Sequence, residues 1–310
     1  MPVALQIALC VWFLLVGVAA IDRRDKRLFK LLIVNAICVL GVGCVGIALA
    51  VAAQHTAKYD LWLYSADTAL GSPGFAIARL LRPTLLFPPL VALYEAMPVV
   101  LLLVYAAHLL MGGAPERVLA AFAVNFGAGY CIYLLLPACG PAYAFADFPA
   151  SQPALSALRT LHLNAPPNCM PSLHTSTAIL AYWFCRRWRF PRTAALINLV
   201  LTVLETLATG EHYTVDLVVA VPFAVFVYAA SERRYRAAAA WLAVVLIWCE
   251  ALRFGPAYIT GAPRTFAMLC LVAIVAAWLY AAHMDTGGKG RTVAGRLAGH
   301  ALARRERATA

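Results

Sequence analysis

The stretch TAALINLVLTVLETLATGEHYTVDLVVAVPFAVFVYAA, residues 193–230, consists of two apolar blocks parted by the polar tripeptide Glu211-His212-Tyr213. Each block approaches the ~20 residues with which an α-helix crosses the hydrocarbon core of a bilayer. The chain is therefore expected to cross a membrane, turn within a few residues and cross back. Working outward, blocks of the same character fall near residues 3–20, 31–53, 89–111, 118–137, 173–187, 238–254 and 265–283. The sequence thus predicts an all-α, polytopic transmembrane helical bundle of about nine helices. Composition agrees: 63% of residues are hydrophobic and 13% charged, against about 25% charged in soluble globular chains. So little polar surface cannot coat a soluble core.

The formal net charge is +11, but its placement argues against a nucleic-acid partner. Lys and Arg cluster between the apolar blocks at 23–30, at Arg117, at 186–192, at 233–236 and in the tail at 289–307, which together hold 19 of the 25. Every cluster follows an odd-numbered span, the pattern of cytoplasmic loops. The expected topology has the N-terminus outside and the tail in the cytoplasm. Met1–Ala20 lacks a basic segment before its apolar run and is read as a first span, not a cleaved signal peptide. The outer face then receives residues 54–88, an amphipathic segment expected to lie in the interface, and the long loop 138–172.

Two motifs on that outer face carry chemistry. Pro171-Ser172-Leu173-His174 opens one span with good helix-start residues, and a helix N-terminus offers unpaired N–H groups to an anion. His174 stands where a phosphate would bind, or else it belongs to a capped helix and bonds a neighbour. His212 and Asp216 are four residues apart and so are expected to share a helix face. An aspartate bonded to one imidazole nitrogen fixes the tautomer and raises the basicity of the other. A structural His–Asp pair at a helix end is the plain alternative. The intervening cluster at 186–192 lies on the opposite face, which returns both histidines to the same side.

Met170-Pro171-Ser172-Leu173-His174-Thr175, followed by His212-Tyr213-Thr214-Val215-Asp216, resembles the type 2 phosphatidic-acid phosphatase superfamily. The His-Tyr-x-x-Asp string, with Tyr133-Leu134-Leu135-Leu136-Pro137 and Gly140-Pro141 upstream, looks most like the branch of inositol-phosphorylceramide and sphingomyelin synthases in sphingolipid metabolism. The resemblance implies a six-helix core over 55–230, preceded by helices over 1–54 and followed by helices over 231–283 and a basic cytoplasmic tail over 284–310. It implies a membrane lipid substrate, a small alcohol or lipid as acceptor, no metal and no other cofactor. His212 would attack phosphorus, Asp216 would orient it, and His174 would protonate the departing oxygen. Ser172, Tyr213, Arg82, Arg159 and Tyr143 are the candidate substrate contacts. The implied setting is a bacterial inner membrane with the site facing the periplasm.

The chain also departs from the commoner phosphatases. Glu205-Thr206 stands where they carry a Ser-Arg pair, and Phe75 where a Lys is expected, although Arg82-Pro83 echoes their Arg-Pro element. A guanidinium suited to bidentate phosphate contact is missing there. These differences favour a transferase that resembles inositolphosphotransferases over a generalist phosphatase using water. Intramembrane Glu, His and Asp also suit a transporter, and a silent lipid-binding scaffold is a third reading. Cys139 and Cys169 flank the outer loop and would either pair in an oxidising compartment or remain thiols.

Overall fold

The structure, a computed structural model, describes residues 17, 21, 26–55, 57–154 and 158–284. Apart from Gly17 and Met284, the first expected span and the basic tail lie outside the described residues. The rest is helical, with no β-strand among the described residues and a single isolated bridge between Lys58 and Leu161.

In chain order the helices are α1 (Lys26–His55), α2 (Asp60–Ala69), α3 (Pro73–Leu81), α4 (Phe87–Glu95), α5 (Met97–Leu110), α6 (Pro115–Leu135) and the single turn α7 (Pro141–Ala144). After the long loop come α8 (Leu173–Cys185), α9 (Arg189–Thr209), α10 (Thr214–Ser231), α11 (Tyr235–Phe254), α12 (Pro256–Gly261) and α13 (Pro263–Met284).

Among the described residues, α6, α9, α10, α11 and α13 are long and apolar enough to cross a membrane. The α4–α5 pair adds a sixth crossing if its two halves count as one span. The count of nine is therefore not reached. Block 3–20 is not described, and block 31–53 falls in α1, where Gly43–Gln54 forms a shorter apolar helix. Block 173–187 becomes the 13-residue α8. At 1.5 Å per residue that helix is about 20 Å long, short of a ~30 Å hydrocarbon core. It tolerates this because its neighbours enclose it: 11 of its 13 residues are buried.

The centre of the bundle is α10, with 15 of 18 residues buried and α6, α8 and α11 packed around it. A helix apolar on every side needs such enclosure. The outer helices turn large side chains away from the protein, with Ile33, Ile37, Leu40, Ile47 and Val51 exposed along α1 and Leu269, Val272, Val275 and Leu279 along α13. These faces have the composition of surfaces bathed by lipid chains, and the protein is an integral membrane protein.

Two local features place the functional residues. First, α4 and α5 meet at Ala96 with a 58° bend. Pro98 begins the second half, and with no N–H to continue the ladder it ends the first. Second, α2, within the amphipathic segment 54–88, is drawn into the protein. Seven of the ten residues of α2 are buried, Asp60 and Asp67 among them. The carboxylates draw the helix inward because backbone N–H donors are waiting for them.

Candidate active site

The N-termini of α8 and α10 converge. The Ser172 side chain caps α8 by accepting from the Thr175 N–H (3.3 Å), and the Ser172 N–H donates to the Asp216 carbonyl (3.4 Å) in the first turn of α10. Below the cap, Asn125 of α6 donates to Thr177 Oγ1 (3.2 Å) and accepts from Ser176 Oγ (2.8 Å), fastening α8 through a buried polar contact. The two motifs, 38 residues apart in sequence, are thereby brought to one end of the bundle. The rings of His174 and His212 lie 6.5 Å apart between centroids and cross at 62°.

His212 does not share a helix face with Asp216. It precedes α10, separated from it by the extended N-cap Tyr213, and the turn of the chain brings the two side chains to 3.6 Å (Nδ1 to Oδ2). The hydrogen bond from Nδ1 goes instead to the Cys169 carbonyl, at 2.6 Å. A carbonyl only accepts, so Nδ1 carries the proton and Nε2 holds the lone pair. Asp216 Oδ2 meanwhile accepts from the Tyr213 N–H (2.8 Å) and from the Cys169 thiol (2.7 Å). One residue thus restrains both members of the His–Asp pair, His212 through its backbone and Asp216 through its side chain. Burial, reinforced by the Asp216 and Asp60 carboxylates, pushes the Cys169 thiol well above its ordinary pKa, which keeps it a donor. Cys139 and Cys169 are both free thiols.

His174 is fixed from the other side. The bend at Ala96 delivers Tyr94, whose ring stacks on His174 at 3.7 Å and 17°. Further along the cleft, Glu205 is fully buried, and neither carboxylate oxygen has a hydrogen-bond partner among the described residues. Glu205 lies within electrostatic reach of the Tyr94 hydroxyl and of Glu211. Glu211 accepts from the Tyr143 hydroxyl at 3.0 Å, and burial pushes its pKa up against the opposing pull of His212.

Asp60 and Asp67 are the residues that sequence reasoning missed. Asp60 accepts from the Cys139 N–H (3.1 Å), the Gly140 N–H (2.9 Å), the Tyr213 hydroxyl (3.0 Å) and the Cys139 thiol (3.4 Å). Asp67 accepts from the Thr214 N–H at 2.7 Å. Burial raises each to about 6, with these donors pulling the other way. The N-terminal N–H groups of α10 are therefore committed to Asp67 and Asp216, whereas α8 is capped by a neutral hydroxyl. Of the two helix ends, α8 is the one with a field open to an added anion. The available signal was an Asp pair spaced seven apart in an otherwise apolar stretch.

The five predicted substrate contacts differ in position. Ser172 and Tyr213 are fully buried, with Ser172 donating to Thr175 Oγ1 (3.0 Å) and Tyr213 to Asp60. Arg82 donates to the carbonyls of Ala208 (2.9 Å) and Thr209 (2.6 Å), closing the C-terminus of α9 just before His212, and its guanidinium stacks over Phe148. These three side chains are already engaged within the protein and hold the walls of the site. Tyr143 is exposed and joined to the site through Glu211. Arg159 is exposed on the long loop between α7 and α8, without a hydrogen bond to either histidine among the described residues. Cys169, His212 and Asp216 offer ligand atoms within 4.8 Å of one another, a set chemically suited to a metal ion such as zinc. Two of these ligand atoms also take part in hydrogen bonds, Nδ1 with the Cys169 carbonyl and the thiol with Asp216.

Comparison with curated proteins and with solved structures returned no match. The profile of the PAP2 superfamily matches residues 61–230, more than half of the chain, and runs from α2 to α10, taking in the residues of the site described above except Asp60, which falls one position before it. The chain belongs to the PAP2 superfamily.

Proposed function

We propose that the protein moves a phosphoryl group from a membrane lipid through a phosphohistidine on His212, and that an alcohol, rather than water, is its principal acceptor. The superfamily supplies the class, membrane phosphatases and phosphotransferases. The observation that carries the reading is the tautomer of His212: Nδ1–H is donated to Cys169, so Nε2 is a lone-pair nitrogen in a cleft with His174.

In the first step Nε2 of His212 bonds to phosphorus, the bond from phosphorus to the leaving oxygen breaks, and that oxygen takes a proton from His174. Burial and His212 hold the His174 pKa down to about 3 before substrate binds, and the ring gains its proton when the negatively charged phosphate binds beside it. In the second step, His174 removes a proton from the acceptor hydroxyl, whose oxygen attacks phosphorus and releases Nε2. Asp216 stabilises the cationic phosphoimidazole at 3.6 Å, and Tyr94 keeps the His174 plane fixed. The preference for an alcohol is supported by Glu205 and Glu211. Carboxyl groups accept hydrogen bonds from hydroxyls, as an inositol-like polyol would provide. On the charge pattern of the loops, the site faces the outside of the cell, the periplasm in a bacterium.

The test incubates purified protein with a panel of lipid phosphates, with and without inositol or diacylglycerol, following phosphate release and new lipids. Alcohol-dependent appearance of a phosphate ester of that alcohol supports the transferase. Phosphate release unaffected by any alcohol supports hydrolysis, and phosphorus that moves from no donor refutes the enzyme reading.

A further inference from the structure

The opposite ends of α8 and α10 frame a second polar site. A cavity of about 300 Å³ lies there, lined by Arg117, Arg186, Arg187, Glu232, Trp183 and Tyr228 among others, a volume at the small end of ligand cavities. Its walls are built rather than incidental. The Ala114 N–H donates to His108 Nδ1 (3.1 Å) and His108 Nε2 donates to the Phe184 carbonyl (3.0 Å), clamping the turn between α5 and α6 to the end of α8. Arg187 is anchored by the carbonyls of Met111 and Gly112 and lies over the Trp188 ring. Arg186 lies over Trp183 and Tyr228. Arg117 reaches both oxygens of Glu232 through one nitrogen, Nη1.

Three guanidinium groups thus face one carboxylate, a surplus of two positive charges beside aromatic rings at the end of a transmembrane bundle. Guanidinium forks match phosphate oxygens, and basic pockets between membrane helices take lipid head groups. We infer that this cavity binds a phosphate group on the side of the membrane opposite the catalytic histidines, either the head group of an anionic lipid or a free phosphate ester. The site requires neither the proposed reaction nor the proposed orientation.

The experiment titrates full-length protein, in neutral detergent and on a His212→Ala background, with short-chain phosphatidylglycerol, short-chain phosphatidylcholine and glycerol 3-phosphate, reading dissociation constants by calorimetry and stoichiometry by native mass spectrometry. Phosphatidylglycerol is expected to bind more tightly than phosphatidylcholine. Arg117→Gln and Arg187→Gln should each weaken it about fivefold, and Glu232→Gln should tighten it by a similar factor. A misfolded variant does not gain affinity, so Glu232→Gln keeps the test decisive if the arginine variants fail to fold. Binding of the lipid alone assigns the ligand to the leaflet, and binding of glycerol 3-phosphate alone assigns it to the aqueous phase; both support the site. Equal binding of the two lipids with no binding of glycerol 3-phosphate overturns it, as does weaker binding in Glu232→Gln.

Discussion

Replacing Cys169 tests the arrangement most directly, because no simpler His–Asp pair would need it. The thiol is buried and donates to Asp216 Oδ2 at 2.7 Å, while Oδ1 of the same carboxylate is buried with no hydrogen-bond partner among the described residues. In Cys169→Ala the backbone carbonyl remains, so His212 keeps its tautomer. What is lost is one donor to a carboxylate. Hydrogen bonds to charged groups are worth about 1.5–3 kcal/mol. If Asp216 serves mainly to stabilise cationic phospho-His212, that loss appears in the transition state as a fall of about 10- to 150-fold in kcat/KM. It should fall on kcat rather than KM, because Asp216 contacts the Nδ1 side of His212, away from the reacting nitrogen. Cys169→Ser retains a donor and should recover most of the loss. The assay is steady-state turnover in detergent, on the donor and acceptor identified by the lipid panel, with a thermal-shift control for folding. Wild-type kcat/KM in Cys169→Ala, or a serine variant no better than alanine, refutes the reasoning.

Further outcomes follow from other contacts. His174→Ala, His212→Ala and Asp216→Ala should insert normally and each lose about 10³-fold or more in turnover; phosphorus-31 NMR or radiolabel trapping should find phosphoenzyme in none of the His212→Ala protein. Gly140→Ala should fail to accumulate or unfold several degrees earlier. Gly140 has φ +92°, and an added Cβ would strike the Glu211 carbonyl one residue from His212. Asp60 and Asp67 titrate near 6 in the fold against an ordinary 3.8. The fold therefore holds more protons than the unfolded chain between those values, and its stability should fall as pH rises from about 4 to 6 and level off above. The shift is worth at most about 3 kcal/mol per group. Asp60→Asn should flatten part of that slope in a thermal-shift series; a stability that rises with pH across the window contradicts it. Tyr94→Leu, which removes the ring stacked on His174, should lower kcat with little change in thermal stability.

The helical membrane fold was legible because hydrophobic blocks of spanning length require little context to interpret. Charge clusters alternating between them also sufficed to put His174 and His212 on one side, and the structure does bring their rings together. The contacts between the motifs were less legible because they run through backbone. A spacing of four suggests a helical His–Asp contact, yet His212 lies ahead of the helix and bonds a carbonyl 43 residues upstream, which no side-chain pattern encodes. Asp60 and Asp67 were passed over within the amphipathic segment 54–88, since sequence shows the carboxylates but not the N–H groups they satisfy. Tyr94 was hidden in an apolar block whose break is announced only by Pro98. Block 173–187 was read as a span for a related reason: hydropathy registers its apolar length but not where its helix stops.

The shortness of α8 has a consequence for the bilayer itself. From His174 to Phe184 is ten residues, about 15 Å along the axis, with the catalytic cleft at one end and the arginine-lined cavity at the other. Along this helix the two polar sites lie closer together than the faces of a ~30 Å hydrocarbon slab, although α10, which also frames both, is about 27 Å long. Either the head groups dip toward them or the slab narrows around this helix, and both responses cost energy that grows with the thickness of the surrounding membrane. Acyl-chain length is therefore expected to be a variable of the reaction, with turnover higher in bilayers of short-chain lipids than in those of long-chain ones.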